Sequence, residues 1–165
     1  MGAVSPSMPT PRSLLLDTNV WLDYLLGADE PGAQAKQLIM RCIEQDIPLL
    51  YAPTSLKDVF YILPRRLRMS AAAGEPLRDE SLRHIAWACV RIMTELGIAA
   101  PQSLPECNLA WMLRHEHSDF ENNLVMAAAE TSNAGYVVTS DKAMLDHYAP
   151  SCITPSQALR LLARP

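Results

Sequence analysis

Leu14-Leu15-Leu16-Asp17-Thr18-Asn19-Val20-Trp21-Leu22 passes from three consecutive leucines into Asp-Thr-Asn and then into an apolar helical pattern. A short unbroken apolar run suits a strand buried on both faces, and Asp, Thr and Asn are the residues that cap a helix N-terminus. The stretch therefore predicts strand, turn and helix, with a carboxylate at the carboxyl end of the strand, the edge where open parallel α/β sheets place their ligands. Three other segments repeat the arrangement. Asp58 follows the apolar Pro48-Leu49-Leu50-Tyr51-Ala52-Pro53, Ser118-Asp119-Phe120-Glu121-Asn122-Asn123 opens a helical pattern, and Asp141 follows Tyr136-Val137-Val138-Thr139-Ser140. Converged on one edge, these groups would form a site for a hard cation.

The rest of the chain supplies alternating strands and helices. After the first strand, helices are expected over Thr18 to Leu26, ending near Gly27, and over Ala33 to Gln45. Pro48 to Ala52 is a second buried strand, and Thr54 or Ser55 caps a helix through about Leu63, which Pro64 should kink or end. Leu77 to Leu96 is strongly periodic, with Leu82, Ile85, Cys89, Ile92 and Leu96 tracing one apolar stripe, and Gly97 stops it before a short strand over Ile98 to Ala100. Helices follow over Leu104 to Arg114 and Ser118 to Ser132, the latter opening on a capping-box pattern, Ser118 to Glu121. Strands at Val137-Val138 and at Cys152 to Thr154 bracket a short helix from Lys142 to His147, and Pro155 starts a last helix through about Ala163. Such alternation predicts an α/β fold of three layers, a central mainly parallel sheet flanked by helices. No internal repeat, glycine-rich phosphate loop or GxSxG is present.

At 165 residues, 49% of them hydrophobic, the chain is long enough for one sizeable core and too short for two ordinary domains. The expected organisation is a loose Pro- and Ser-rich tail over residues 1–12 and a single domain over residues 13–165. A net charge of −4 offers no global basic field for nucleic acid, so such a partner would need a local basic face or a metal-bridged phosphate. Cys42, Cys89, Cys107 and Cys152 are widely spaced, with no CxxC pair and no secretory leader, which favours reduced thiols and a cytoplasmic protein over a zinc knuckle or disulfide scaffold. No segment is apolar enough to span a membrane.

Mg²⁺ and Mn²⁺ prefer oxygen ligands, and Mg²⁺ commonly keeps several waters while using one or two carboxylates. Ions held that way polarise a phosphodiester and generate hydroxide from water, so the implied chemistry is phosphate hydrolysis. Taken singly, Asp17, Asp119 and Asp141 are equally explained as N-caps, and Asp58 by attraction to a helix dipole. Only the joint pattern favours a site.

Leu15-Leu16-Asp17-Thr18-Asn19-Val20, the helix carrying Asp58, Asp119-Phe120-Glu121-Asn122-Asn123-Leu124 running into Ala127-Ala128-Ala129, and Val138-Thr139-Ser140-Asp141 resemble the PIN domain in order and spacing. The resemblance extends from about Ser13 to Ala163. It implies a metal-dependent endoribonuclease using Mg²⁺ or Mn²⁺ on an RNA substrate. It resembles the small single-domain bacterial VapC type, which implies the toxin of a toxin–antitoxin pair, an antitoxin protein as partner, and a homodimer. Carried over by position, Asp17, Asp58 and Asp141 are metal-site and catalytic acids, with Asp119 in support. Thr18, Asn19, Glu121, Thr139 and Ser140 surround them. At Asn122 the chain departs from the pattern, with an amide where the family carries a carboxylate. Asn still offers a carbonyl oxygen but lacks the charge, so either Asp119 or Glu121 compensates or metal affinity and turnover fall, leaving a PIN-fold module that binds RNA or a protein.

Arg83, Trp87 and Arg91 are spaced by four, opposite the apolar stripe. Trp87 there suits a nucleobase or a protein partner, or packing beneath a neighbouring loop. Arg65, Arg66 and Arg68 suit RNA phosphates or a solvated surface. His115 and His117 lack companions at metal-ligand spacing.

Overall fold

In the computed structural model, which describes residues 11–27, 29–70 and 78–163, a five-stranded parallel sheet forms the middle layer. The strands are β1 (Leu14–Leu16), β2 (Leu49–Tyr51), β3 (Ile98–Ala99), β4 (Tyr136–Val138) and β5 (Cys152–Ile153), in spatial order β3-β2-β1-β4-β5. The helices are α1 (Thr18–Leu26), α2 (Glu30–Glu44), α3 (Pro53–Ser70), α4 (Asp79–Leu96), α5 (Leu104–Met112), α6 (Phe120–Thr131), α7 (Lys142–His147) and α8 (Pro155–Leu162), with a 3-10 turn over Leu113–His115.

Side chains alternate across a strand, and the three leucines of β1 feed both faces of the sheet. Leu14 and Leu16 join Trp21, Leu38, Ile39, Val59 and Leu63 on the side of α1 to α3. Leu15 joins Val125, Ala128 and Met144 on the side of α6 and α7. All three are fully buried, and burial of a leucine side chain is worth about 1.5–3 kcal/mol. Pairing fixes the register, with Leu14 opposite Leu49 on one side and Tyr136 on the other. Because the order reverses about β1, a crevice opens beyond its carboxyl end, and the chain places Asp17 there.

Local signals set most boundaries. Gly27 closes α1 in the left-handed conformation with φ 59, and a side chain at Gly32 would come within 2.8 Å of its Cα, so α2 starts hard against the end of α1. Four expectations are corrected. Proline stands at the first position of α3, so neither Thr54 nor Ser55 caps it; Ser55 is buried and accepts a hydrogen bond from the Thr18 hydroxyl. Pro64 does not end α3, which runs on to Ser70, with Val59 and Leu63 buried beneath it. On α4 the buried stripe is Leu82, Ala86, Cys89 and Met93, while Ile85 and Ile92 are 36% and 37% exposed. Asp119, not Ser118, caps α6, which removes Glu121 from a capping role.

The expected tail over residues 1–12 falls mostly outside the described residues, as does Leu77 before α4; Pro11 is buried, and a side chain at Gly135 would meet its Cβ at 2.9 Å. The four cysteines are free thiols. Among the described residues no helix is long and apolar enough to cross a membrane.

Candidate active site

Asp17 leaves β1 and caps α1. Its Oδ1 accepts the Thr18 backbone N–H at 2.7 Å, and its Oδ2 accepts the Asn19 amide and the Thr139 hydroxyl, each at 2.7 Å. Thr139, buried just beyond β4, accepts in turn from Asn19 Nδ2 at 3.1 Å and from the Asp141 N–H at 3.0 Å. Asn19 Oδ1 accepts the Ser140 N–H at 3.0 Å. Two neighbouring strand ends are thus joined through one buried carboxylate. Burial pushes the Asp17 carboxyl above its ordinary range and nearby Asp141 adds to this, while bonds from Thr139, Thr18 and Asn19 favour the ionised form.

Asp141 caps α7, its Oδ1 accepting the N–H groups of Ala143 and Met144 at 2.7 and 3.3 Å. Its other oxygen faces Asn122 Nδ2 at 3.5 Å, the outer limit of a hydrogen bond. Across the crevice Lys57 contacts Asp58 Oδ1 at 3.0 Å, whereas Asp58 Oδ2 is buried and receives no donor. Glu121 lies against Asp58; contact with that carboxylate, partial burial and repulsion together push it up to about 7. Two acids are therefore held closer than water would leave them.

Asp17, Asp58, Glu121 and Asn122 line one open pocket with Thr18 and Asn19, and Arg66 stands on its wall. Asp141 reaches the group through Asn122. Asp119 does not line the pocket; its Oδ1 accepts the Asn122 N–H at 3.0 Å as the cap of α6, beside Glu121. Ser140 takes part through its backbone. His117 accepts the Asp119 N–H at 2.9 Å and stacks on Tyr148, while His115 is exposed. Three participants were not anticipated in these places: Ser55 behind Thr18, Lys57 against Asp58, and Arg66 on the pocket wall. Arg66 lies eight residues beyond Asp58 on one helix, a spacing visible only if Pro64 is read as part of that helix.

Among the described residues no three His, Cys, Asp or Glu side chains are gathered tightly enough to form a ready cage, and Asn122 interrupts the acidic set. The donors are nevertheless all hard oxygens, Asp58 Oδ2 is buried without a partner, and the crowded Asp58 and Glu121 pair is relieved by positive charge. A divalent ion that keeps most of its waters needs only one or two carboxylates, so these residues fit such an ion.

The family described as PIN domain matches residues 13–143. No curated protein matches. Among solved structures, a chain of a toxin–antitoxin complex from Klebsiella pneumoniae is similar over 87% of this chain and 98% of its own, at 17% identity and a TM-score of 0.57. The Mycobacterium tuberculosis toxin VapC20, described as cleaving the sarcin-ricin loop, is similar over 76% of this chain and 87% of its own, at 15% identity and a TM-score of 0.55.

Proposed function

The chain belongs to the PIN-domain family, and on that premise we propose that it is a divalent-metal-dependent endoribonuclease, the toxin of a toxin–antitoxin pair that acts in the cytoplasm. The observation that carries the reading is the convergence of Asp17, Asp58, Glu121 and Asn122 in one pocket, with Asp141 3.5 Å from Asn122, at the carboxyl edge of the sheet. The similar structures support the toxin reading through their descriptions and fold.

Asp17, Asp58, Glu121 and Asp141 would hold Mg²⁺ or Mn²⁺, with the Asn122 carbonyl oxygen beside them. Such an ion, when bound, supplies a hydroxide at neutral pH and offsets charge on the phosphate. Asp17 is held in one orientation by Thr18, Asn19 and Thr139, so its placement costs no reorganisation when substrate arrives. Glu121, pushed up to about 7 beside Asp58, would give up its proton to a cation bound there.

A second reading has its own support. Asn122 and the lack of a ready cage among the described residues favour a PIN-fold module that binds RNA or a protein with little turnover. Cleavage of RNA by the purified wild type in Mg²⁺ and in Mn²⁺, with EDTA and Asp17→Asn as controls, separates the two. Metal-dependent cleavage that disappears in Asp17→Asn supports the nuclease; binding without cleavage under every condition supports the module.

A further inference from the structure

Because α3 continues through Pro64, Asp58, Ile62 and Arg66, spaced by four, all line the acidic pocket. Arg66 is loosely held. Among the described residues its one ion pair runs from Nη1 to Asp23 Oδ1 at 3.9 Å and its guanidinium makes no hydrogen bond, while its side chain is 44% exposed. By contrast Lys57 is engaged with Asp58 at 3.0 Å, Arg91 with Glu95 at 2.7 Å, and Arg68 with Asp79. A guanidinium has no lone pair to offer a metal, so beside these carboxylates it serves either as a structural counterion or as a receptor for an incoming anion. An ion pair this long and this exposed to water is worth little as a strut. The guanidinium's five N–H donors, free of hydrogen bonds among the described residues, lie in the planar fork that matches two oxygens of a phosphate.

We infer that Arg66 binds a phosphate of the RNA backbone next to the one being cut, exchanging its distant contact with Asp23 for a two-pronged contact with the strand. The inference rests on the proposed nuclease reading. It also answers a difficulty of charge: a protein of net charge −4 with an acidic pocket repels a polyanion, and a cation on the pocket wall supplies local attraction.

The test measures binding of a fluorescein-labelled single-stranded RNA of mixed sequence by anisotropy, in EDTA so that nothing is cut, across a range of NaCl concentrations. It compares wild type, Arg66→Ala, Arg66→Lys and Arg68→Ala. Arg66→Ala should weaken binding about tenfold at low salt and make the slope of log K against log salt shallower by about 0.7, the value of one lost phosphate contact on a single strand. Arg66→Lys should restore the slope and only part of the affinity, since an ammonium keeps the charge without the fork. Arg68→Ala should change affinity less than twofold. In cleavage assays with Mn²⁺, Arg66→Ala should raise KM about tenfold and alter kcat by no more than about threefold. Unchanged slope and affinity in Arg66→Ala, with wild type binding or cutting RNA normally, overturns this inference alone. If Arg66→Ala does not fold, Arg66→Lys decides: reduced affinity at an unchanged melting temperature supports the contact, and full affinity overturns it. A wild type that neither binds nor cuts RNA overturns the nuclease reading and this inference with it.

Discussion

Replacing Asn122 with Asp puts a carboxylate where an amide nitrogen now stands 3.5 Å from Asp141 Oδ2. Two unit charges at that separation repel by about 5 kcal/mol at an effective dielectric constant of 20 and by about 1 kcal/mol in water. Both side chains are half-buried, and water reaches the open pocket, so the lower part of that range applies. Asn122→Asp should therefore destabilise the metal-free protein by about 1–2 kcal/mol, lowering its melting temperature by roughly 2–8 °C for a chain of this size. With a divalent ion the sign reverses, because the same charge now attracts the ion. If the added carboxylate tightens Mn²⁺ binding about tenfold, the variant gains about 1.4 kcal/mol more than wild type from saturating Mn²⁺. Differential scanning fluorimetry in EDTA and in excess Mn²⁺ should thus show the variant melting below wild type without the ion and recovering most or all of the difference with it. An equal deficit in both buffers would place residue 122 outside any ion site.

Other consequences are smaller in scope. Thr139→Val removes a buried hydroxyl that bonds Asp17, Asn19 and Asp141, and should cost about 1–3 kcal/mol in chemical denaturation because those partners stay buried. Trp87 is 64% exposed, its ring edge-on to Phe60 at 5.0 Å, so Trp87→Ala should cost less than the roughly 3–5 kcal/mol of a core tryptophan while weakening self-association or partner binding in analytical ultracentrifugation. Burial pushes the Cys42 and Cys152 thiols up to about 12, leaving almost no thiolate at pH 8; mass spectrometry after brief native alkylation should find Cys107 modified well before either.

What the chain declares openly is whatever its short-range chemistry decides. The strand ending at Leu16, the helix from Thr18 to Leu26 and the helix from Lys142 to His147 stand where the caps and apolar runs put them. Asp17, Asp58 and Asp141 stand at successive carboxyl edges because strands alternating with helices leave little other choice. Where tertiary packing outvotes local preference, the sequence misleads. Pro64 gives up one helical hydrogen bond, yet Val59 and Leu63 bury that side of α3 and the helix carries on. The stripe on α4 turns away from Ile85 and Ile92 to Ala86 and Met93; an alanine signals little in a periodic pattern, but it lets a neighbouring helix come close. At α6 two capping signals overlap, and once Asp119 takes the cap Glu121 is free to face Asp58. That last step is a fact about two distant helices, which no local window contains.

The nuclease reading requires that Asp17, Asp58, Glu121 and Asp141 bind a divalent cation, with Asp119 serving as the cap of α6. Isothermal titration of Mn²⁺ into wild type, Asp58→Asn and Asp119→Asn tests it without reference to substrate. Mn²⁺ should bind wild type and Asp119→Asn saturably with similar affinity, and Asp58→Asn at least about tenfold more weakly. Binding that survives in Asp58→Asn and fails in Asp119→Asn, with both variants folded, would contradict that reading.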